Sequence, residues 1–181
     1  MKELKQYIEE SLLDDFDTIA SKIDPKDAVK KFLYDNYTGI YVISKKPNKD
    51  GLYEVDGKSD IKVKNYRIES LTNGLFVWGS VVRDFICSDS WDLKSLEGAP
   101  KKVGETFNIS GCVKLESLEG CPEEVGYNFS CSSCMKLKSL EGAPKKVGKH
   151  FFCNDCGKQF TESEVRKISN VKGTIITEFN Y

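Results

Sequence analysis

The segment LKSLEGAPKKVGETFNISGCVK, residues 93–114, is followed without a gap by two variants of itself. LESLEGCPEEVGYNFSCSSCMK occupies 115–136 and LKSLEGAPKKVGKHFFCNDCGK occupies 137–158. A fixed period of about 22 residues makes each copy one supersecondary unit stacked on the next. One copy is too short to bury its own apolar side, so the copies must share a continuous core. Residues 71–92 follow the same register more faintly: Leu71 aligns with Leu93, Val81 with Val103, Phe85 with Phe107 and Cys87 with Ile109. The expected architecture is a β-solenoid of about four repeats, the first of them degenerate.

The flanking segments read as closures of that array. Residues 2–13 place Leu4, Tyr7, Ile8 and Leu12 on one helical face, ended by Asp14 and Asp15. Asp24-Pro25-Lys26-Asp27 reads as an N-cap, a proline at the first helical position and acid in the first turn, with Val29, Phe32 and Leu33 following at helix spacing. The β-rich runs 40–43 and 52–55 flank a Lys-Lys-Pro-Asn-Lys-Asp-Gly loop and predict a hairpin; residues 61–64 alternate like a further strand. Beyond the array, Thr161-Glu162-Ser163-Glu164 is a capping-box signature, Val165 and Ile168 share a helix face, and 174–177 reads as a last strand before Phe179 and Tyr181. The fold class expected is α+β. It has a helical and β-hairpin N-terminal cap over 1–70, an array over 71–158 (71–92, 93–114, 115–136 and 137–158), and a helix–strand cap over 159–181.

Composition narrows the function classes. Hydrophobic residues are 39% and charged residues 30% of the 181, which is ordinary for a soluble chain. A net charge of -1 gives no bulk argument for nucleic acid. The charged N-terminus lacks the apolar stretch of a secretory leader, and no run approaches the roughly 18 apolar residues of a membrane-spanning helix. Seven cysteines, an odd number at repeat-linked positions, do not look like a disulfide framework and suit a reducing interior. The expectation is a cytoplasmic protein with no nucleic-acid or membrane partner.

Begun at its strand, the unit reads F-x-C-S-x-C-x-x-L-x-S-L-E-G-x-P-x-x-V-G. It resembles the leucine-rich repeat, in which a short strand is followed by an inward Asn or Cys and then apolar anchors. The proline and short return are similar to the shorter bacterial type. Similar arrays with short acidic helical N-termini recur among uncharacterised proteins of gut bacteria and their phages. The resemblance implies that Phe107, Phe129 and Phe151 point inward, that Ile109, Cys131 and Cys153 do so two residues later, and that Leu93, Leu96, Val103 and their equivalents fill the core. Gly98, Gly120 and Gly142 fall where the chain must turn. Pro100, Pro122 and Pro144 fix φ and donate nothing, which suits a return outside any sheet.

Stacking brings equivalent residues of successive copies about 4.8 Å apart. Lys101-Lys102 then meets Glu123-Glu124, which meets Lys145-Lys146, and Lys94, Glu116 and Lys138 alternate likewise. A phosphate-binding track would keep one sign along the column, so the alternation favours a structural ladder. Glu97, Glu119 and Glu141 form a like-charge column beside Ser95, Ser117 and Ser139, whose hydroxyls or backbone could compensate; a cation site there is the other reading.

The cysteines permit two readings. Cys131, Cys134, Cys153 and Cys156 form two CxxC pairs at a spacing that suits zinc. Aligned by repeat, however, the first column reads Cys87, Ile109, Cys131, Cys153 and the second Ser90, Cys112, Cys134, Cys156. Isoleucine binds no metal, so the first column is a small buried apolar position, and the second is an inward polar position from which a thiol can donate to a turn carbonyl. The preferred reading has no metal or cofactor; the alternative is a small zinc protein using those four thiols.

Catalysis has little to draw on. His150 is the sole histidine, and alternation places it on the opposite strand face from Cys153. No phosphate-cradling loop or nucleophile elbow is present. The expected function is non-enzymatic: a protein–protein interaction module that displays the outward sheet face. That face comprises Thr106, Asn128 and His150 in one column, Ile86, Asn108, Ser130 and Phe152 in the next, and Ser110, Ser132 and Asn154 beyond. Phe152 beside His150 is the candidate anchor, unless the C-terminal segment covers it. A second candidate surface is the aromatic set Tyr37, Tyr41, Tyr53, Tyr66, Phe76 and Trp78. The partner would be a protein, acted on by a bacterial or phage accessory factor that is a monomer or homodimer.

Overall fold

The computed structural model describes residues 24–178; the helix expected over 2–13 and the trailing Phe179 and Tyr181 lie outside them. Helix α1 (Pro25–Asn36) starts where its first residues place it. The Asp24 carboxylate accepts from the Lys26 N–H at 2.8 Å, and Pro25 occupies the first turn, where a backbone donor would go unused. Ala28, Val29, Phe32, Leu33 and Asn36 form the buried stripe, and Phe32 meets Phe76 edge-on at 6.0 Å. The chain continues through β1 (Tyr37–Thr38), β2 (Tyr41–Ile43), β3 (Tyr53–Gly57) and β4 (Ile61–Val63). β2 and β3 pair antiparallel with Ile43 opposite Val55, forming the hairpin that the loop composition implies.

From β3 onward each coil supplies two short strands. They are β5 (Phe76–Val81) and β6 (Phe85–Ile86), β7 (Lys102–Val103) and β8 (Phe107–Asn108), β9 (Glu124–Val125) and β10 (Phe129–Ser130), then β11 (Lys146–Val147) and β12 (Phe151–Phe152). Helix α2 (Glu162–Ile168) leads into β13 (Asn170–Val171) and β14 (Ile175–Ile176). The strands assemble into two seven-stranded sheets. A phenylalanine sheet runs β1-β4-β6-β8-β10-β12-β14, and a valine sheet runs β13-β11-β9-β7-β5-β3-β2. Neighbouring coils pair in parallel, whereas β1 and β2 join their sheets antiparallel.

Two expectations are corrected by this arrangement. The stack has about six coils rather than four, because segments expected as caps supply coils of their own. Gly57 pairs with Val81 and Ile61 with Phe85 at one end; Val147 pairs with Val171 and Phe151 with Ile175 at the other. Contacts between these outer coils span 24 residues, against 22 inside the array. The longer step breaks the sequence register while the strands stay aligned. The second correction concerns the return after each proline, which is itself a sheet. Two extended residues repeated in every coil bring backbone groups within reach of the next: the Glu123 N–H donates to the Lys101 carbonyl at 3.0 Å and the Gly126 N–H to the Val103 carbonyl at 2.9 Å.

The core is one cluster running from Val29 to Ile175. Its spine is a phenylalanine column in which the rings of Phe85 and Phe107 lie 5.6 Å apart, Phe107 and Phe129 6.1 Å, and Phe129 and Phe151 4.8 Å. Leu93, Leu96, Leu115, Leu118 and Leu137 are fully buried beside it. At the corner between the sheets the coils approach through bare backbone. A β-carbon on Gly126 would overlap the Gly104 carbonyl oxygen, and one on Gly148 would overlap that of Gly126. Replacing Gly126 by alanine is therefore expected to cost about 3 kcal/mol, since backbone rather than a flexible side chain must yield. Urea denaturation measures this; a loss under about 1 kcal/mol would show that the corner can open locally.

Helix α2 starts at a complete capping box. The Thr161 hydroxyl accepts from the Glu164 N–H at 3.2 Å, and the Glu164 carboxylate accepts from the Thr161 N–H at 2.8 Å. The Lys158 ammonium, followed by Thr161, holds the Glu164 carboxyl down to about 2. A carboxyl whose folded value lies below its unfolded one stabilises the fold above the ordinary carboxylate range and loses that contribution as pH falls. The α2 turn is thus expected to keep its protection from amide exchange down to about pH 4.5 and to lose it between there and about pH 2. In Glu164→Gln that acid step should disappear.

Candidate interaction face

Alternation along each two-residue strand sends Phe107, Phe129 and Phe151 into the core and the next residue outward. Ile86, Asn108, Ser130 and Phe152 form the half-buried outward column, and Ile176 of the last coil continues it. Thr106, Asn128 and His150 run beside it, also half-buried, with Ser110 and Ser132 on the other side and Asn154 almost fully covered. The structure therefore brings all the proposed binding residues onto one face. The C-terminal strand does not lie over Phe152; it pairs alongside, with Ile176 next to Phe152.

The polar groups on this face are tied to the frame. The Asp84 carboxylate accepts the Thr106 N–H at 2.8 Å, the Asn128 carbonyl oxygen accepts the His150 N–H at 3.2 Å, and His150 Nδ1 accepts the Thr174 N–H at 3.1 Å. Each bond runs from a side chain of one coil to the backbone of the next. Ser110 and Ser130 share a hydroxyl contact of 2.6 Å, and Ser132 donates to the Asn154 carbonyl oxygen at 2.7 Å. The His150 ring meets that of Phe152 edge-on at 6.0 Å, while Cys153 lies in the core on the other side of the strand. Nothing in this arrangement couples a base to a nucleophile.

The opposite, valine-sheet face is ionic. Lys102 and Lys146 reach Glu124 at 3.2 and 2.6 Å, and Lys145 reaches Glu123 at 3.6 Å. Lys94, Glu116 and Lys138 alternate in sequence, but Lys94 pairs with Glu69 and Glu116 with Lys136. The serines beside the Glu97, Glu119 and Glu141 column accept from the glutamate backbone N–H groups at 3.0–3.1 Å, a turn bond that leaves the carboxylates in solvent.

The thiols follow the repeat. Cys112 donates to the Cys87 carbonyl, Cys134 to that of Ile109 and Cys156 to that of Cys131, each at 3.2 Å. Cys131 is turned toward the Phe152 carbonyl at 3.5 Å, and Cys153 is fully buried. Among the described residues no group of three or more His, Cys, Asp or Glu side chains is arranged to hold a metal ion. Burial pushes the Cys131, Cys134 and Cys121 thiols well up and Cys153 up to about 12. Cys156 is the half-exposed partner of Cys131, whose S–H stabilises its thiolate and lowers it below the ordinary thiol value.

One element of this side escaped the sequence reading. Trp91, Val113 and Met135 follow the second cysteine column and form an apolar corner bordering the face. Trp91 is 48% and Met135 60% exposed, and the Tyr66 ring stacks on Trp91 at 6.2 Å. The signal was present, as three apolar residues in one repeat position beside two small polar columns. The N-terminal aromatic set separates by contrast: Tyr37, Phe76 and Trp78 are core, Tyr41 and Tyr53 are half-buried, and Tyr66 alone is well exposed.

Compared with models of protein families, with curated proteins and with solved structures, the chain matches none. No helix among the described residues is long and apolar enough to cross a membrane. Under native, mildly alkaline conditions iodoacetamide is expected to alkylate Cys156 first, the other described thiols following only on unfolding. Peptide mass spectrometry over a time course reads this directly; early labelling of Cys134 or Cys153 would contradict the packing described.

Proposed function

We propose that the solenoid is a non-enzymatic protein-interaction module of the leucine-rich-repeat type and that its partner docks on the phenylalanine-sheet face. The carrying observation is a distribution of charge. In a chain with 30% charged residues, the outward columns from Ile86 to Ile176, Thr106 to Thr174 and Ser88 to Asn154 contain no charged side chain. The centres of protein interfaces are depleted in charge in the same way, with charge left to their margins. Here Lys62, Asp84 and Glu178 stand at the ends, and the ion ladder lies on the other sheet.

Preorganisation supports the same reading. The hydrogen bonds between coils fix the face before any partner arrives, so association loses little side-chain freedom there. Phe152 and Ile176 at one end and the Trp91 corner along one side supply apolar anchors of the type that dominates binding energy. The leucine-rich assignment rests on Leu93, Leu96 and their equivalents, which fill the core behind each strand.

Placing a charge in the middle of the face tests the proposal. Immobilised protein exposed to gut-bacterial lysate is expected to retain a defined protein, at least tenfold less of it with Ser130→Arg or Phe152→Asp, and the same amount with Lys101→Ala on the opposite side. Thermal melts of each variant verify folding. Equal recovery by all three would remove this face from consideration.

A further inference from the structure

The second cysteine column reaches back to the first column of the coil before it. Cys112 meets the backbone of Cys87, Cys134 that of Ile109 and Cys156 that of Cys131, each sulfur 3.2 Å from the carbonyl oxygen. At the middle step the residue reached is isoleucine, so Cys134 finds no sulfur in that position. At the other two steps it is cysteine, and the side chains themselves are hydrogen-bonded, Cys87 with Cys112 and Cys131 with Cys156. The same thiol pair is thus built twice.

The two pairs differ in access. Cys87, Cys112 and Cys131 are buried, whereas Cys156 is partly exposed. The Cys131 S–H and the Cys134 N–H both face the Cys156 sulfur, and such donors stabilise a thiolate, with Asp155 opposing them. Cys121 is the other partly exposed thiol, but burial keeps it protonated and no thiol is hydrogen-bonded to it. An accessible thiolate in contact with a second thiol is the arrangement in which oxidation stops at a disulfide, because the second thiol intercepts the sulfenic acid.

We propose that Cys156 and Cys131 form a reversible oxidation site for hydroperoxides, Cys156 attacking and Cys131 resolving. The Cys156 thiolate takes the terminal oxygen of the hydroperoxide: an S–O bond forms, the O–O bond breaks, and the departing alkoxide or hydroxide takes a proton from water. The Cys131 thiol then attacks the sulfenic sulfur. An S–S bond forms, the S–O bond breaks, and the leaving hydroxide carries off the Cys131 proton as water. An external dithiol returns the two electrons. The bridge would tie the coil of β10 to the coil of β12, beside Ser130 and Phe152. The proposal is independent of the interaction face, since what it predicts is a covalent bond.

The test treats the full reduced chain with a small excess of hydrogen peroxide, blocks the remaining thiols under denaturing conditions and digests with trypsin without reductant. Cleavage leaves Cys131 in residues 115–136 and Cys156 in residues 150–158. The expected bridge therefore joins two peptides, fragmentation places it at Cys131 and Cys156, and dithiothreitol separates them. Cys87 and Cys112 should stay reduced, which distinguishes oxidation of the folded chain from oxidation after unfolding. In Cys131→Val, apolar like Ile109 of the same column, the sulfenic acid should accumulate and give roughly fivefold more dimedone adduct on Cys156. Cys156→Ser, matching Ser90 in its column, should give neither bridge nor adduct. Thermal melts verify that the variants fold, and the bridge mapping itself needs no variant. Absence of a bridge, a bridge between Cys153 and Cys156, equal oxidation of Cys87 and Cys112, or equal dimedone labelling with and without Cys131 would each overturn the proposal.

Discussion

At the corner between the two sheets, each coil touches the one below through a glycine Cα and a carbonyl oxygen with no side chain between them. That contact brings the coils to the spacing at which backbone groups pair from one to the next. The rest follows from this distance. Strands of only two residues suffice, because every pairing is repeated in the neighbouring coil. Phenylalanine rings fall into one column and valines into another, so that in these two columns each side chain meets its own counterpart in the next coil. A substitution in one coil is therefore felt by two others.

The same geometry explains what could be read from the chain beforehand. Three near-identical copies define columns, and columns separate inward Cys131 and Cys153 from outward Asn108 and Ser130 without any coordinates. The helix start at Pro25 and the capping box at Thr161 were equally legible, since both depend on side-chain chemistry within a few residues. The outer coils were hidden because Gly57 and Ile61 stand where the array has valine and phenylalanine, and the longer step shifts them out of register. The valine sheet was hidden for another reason. A two-residue strand has no alternation to detect, so Lys102–Val103 looks like part of a loop until its neighbours are placed beside it.

The candidate site was legible in part. Its columns follow from the repeat, but their uncharged character matters only once the ionic groups are seen to lie on the opposite sheet and at the other corners. The polar side chains also proved less free than a sequence suggests. His150 and Asn128 hold backbone N–H groups, which makes them parts of the frame as well as of the surface. The apolar margin formed by Tyr66, Trp91, Val113 and Met135 lies outside the strands, where pattern reasoning had no sheet face to assign it to.

The alternating ladder has a consequence for how such a protein can grow. Arrays of this kind lengthen by duplicating a copy, and the ends of this one would be undisturbed, since its reversed strands β1 and β2 and its helix α2 lie outside the repeated part. Doubling a single lysine copy, however, would set Lys102 against another lysine, and doubling the glutamate copy would set Glu124 against another glutamate. Only a lysine copy and a glutamate copy inserted together preserve the opposition that Lys102, Glu124 and Lys146 now show. The charges thus impose a parity on the array, and the length of its face is expected to change by two coils at a time.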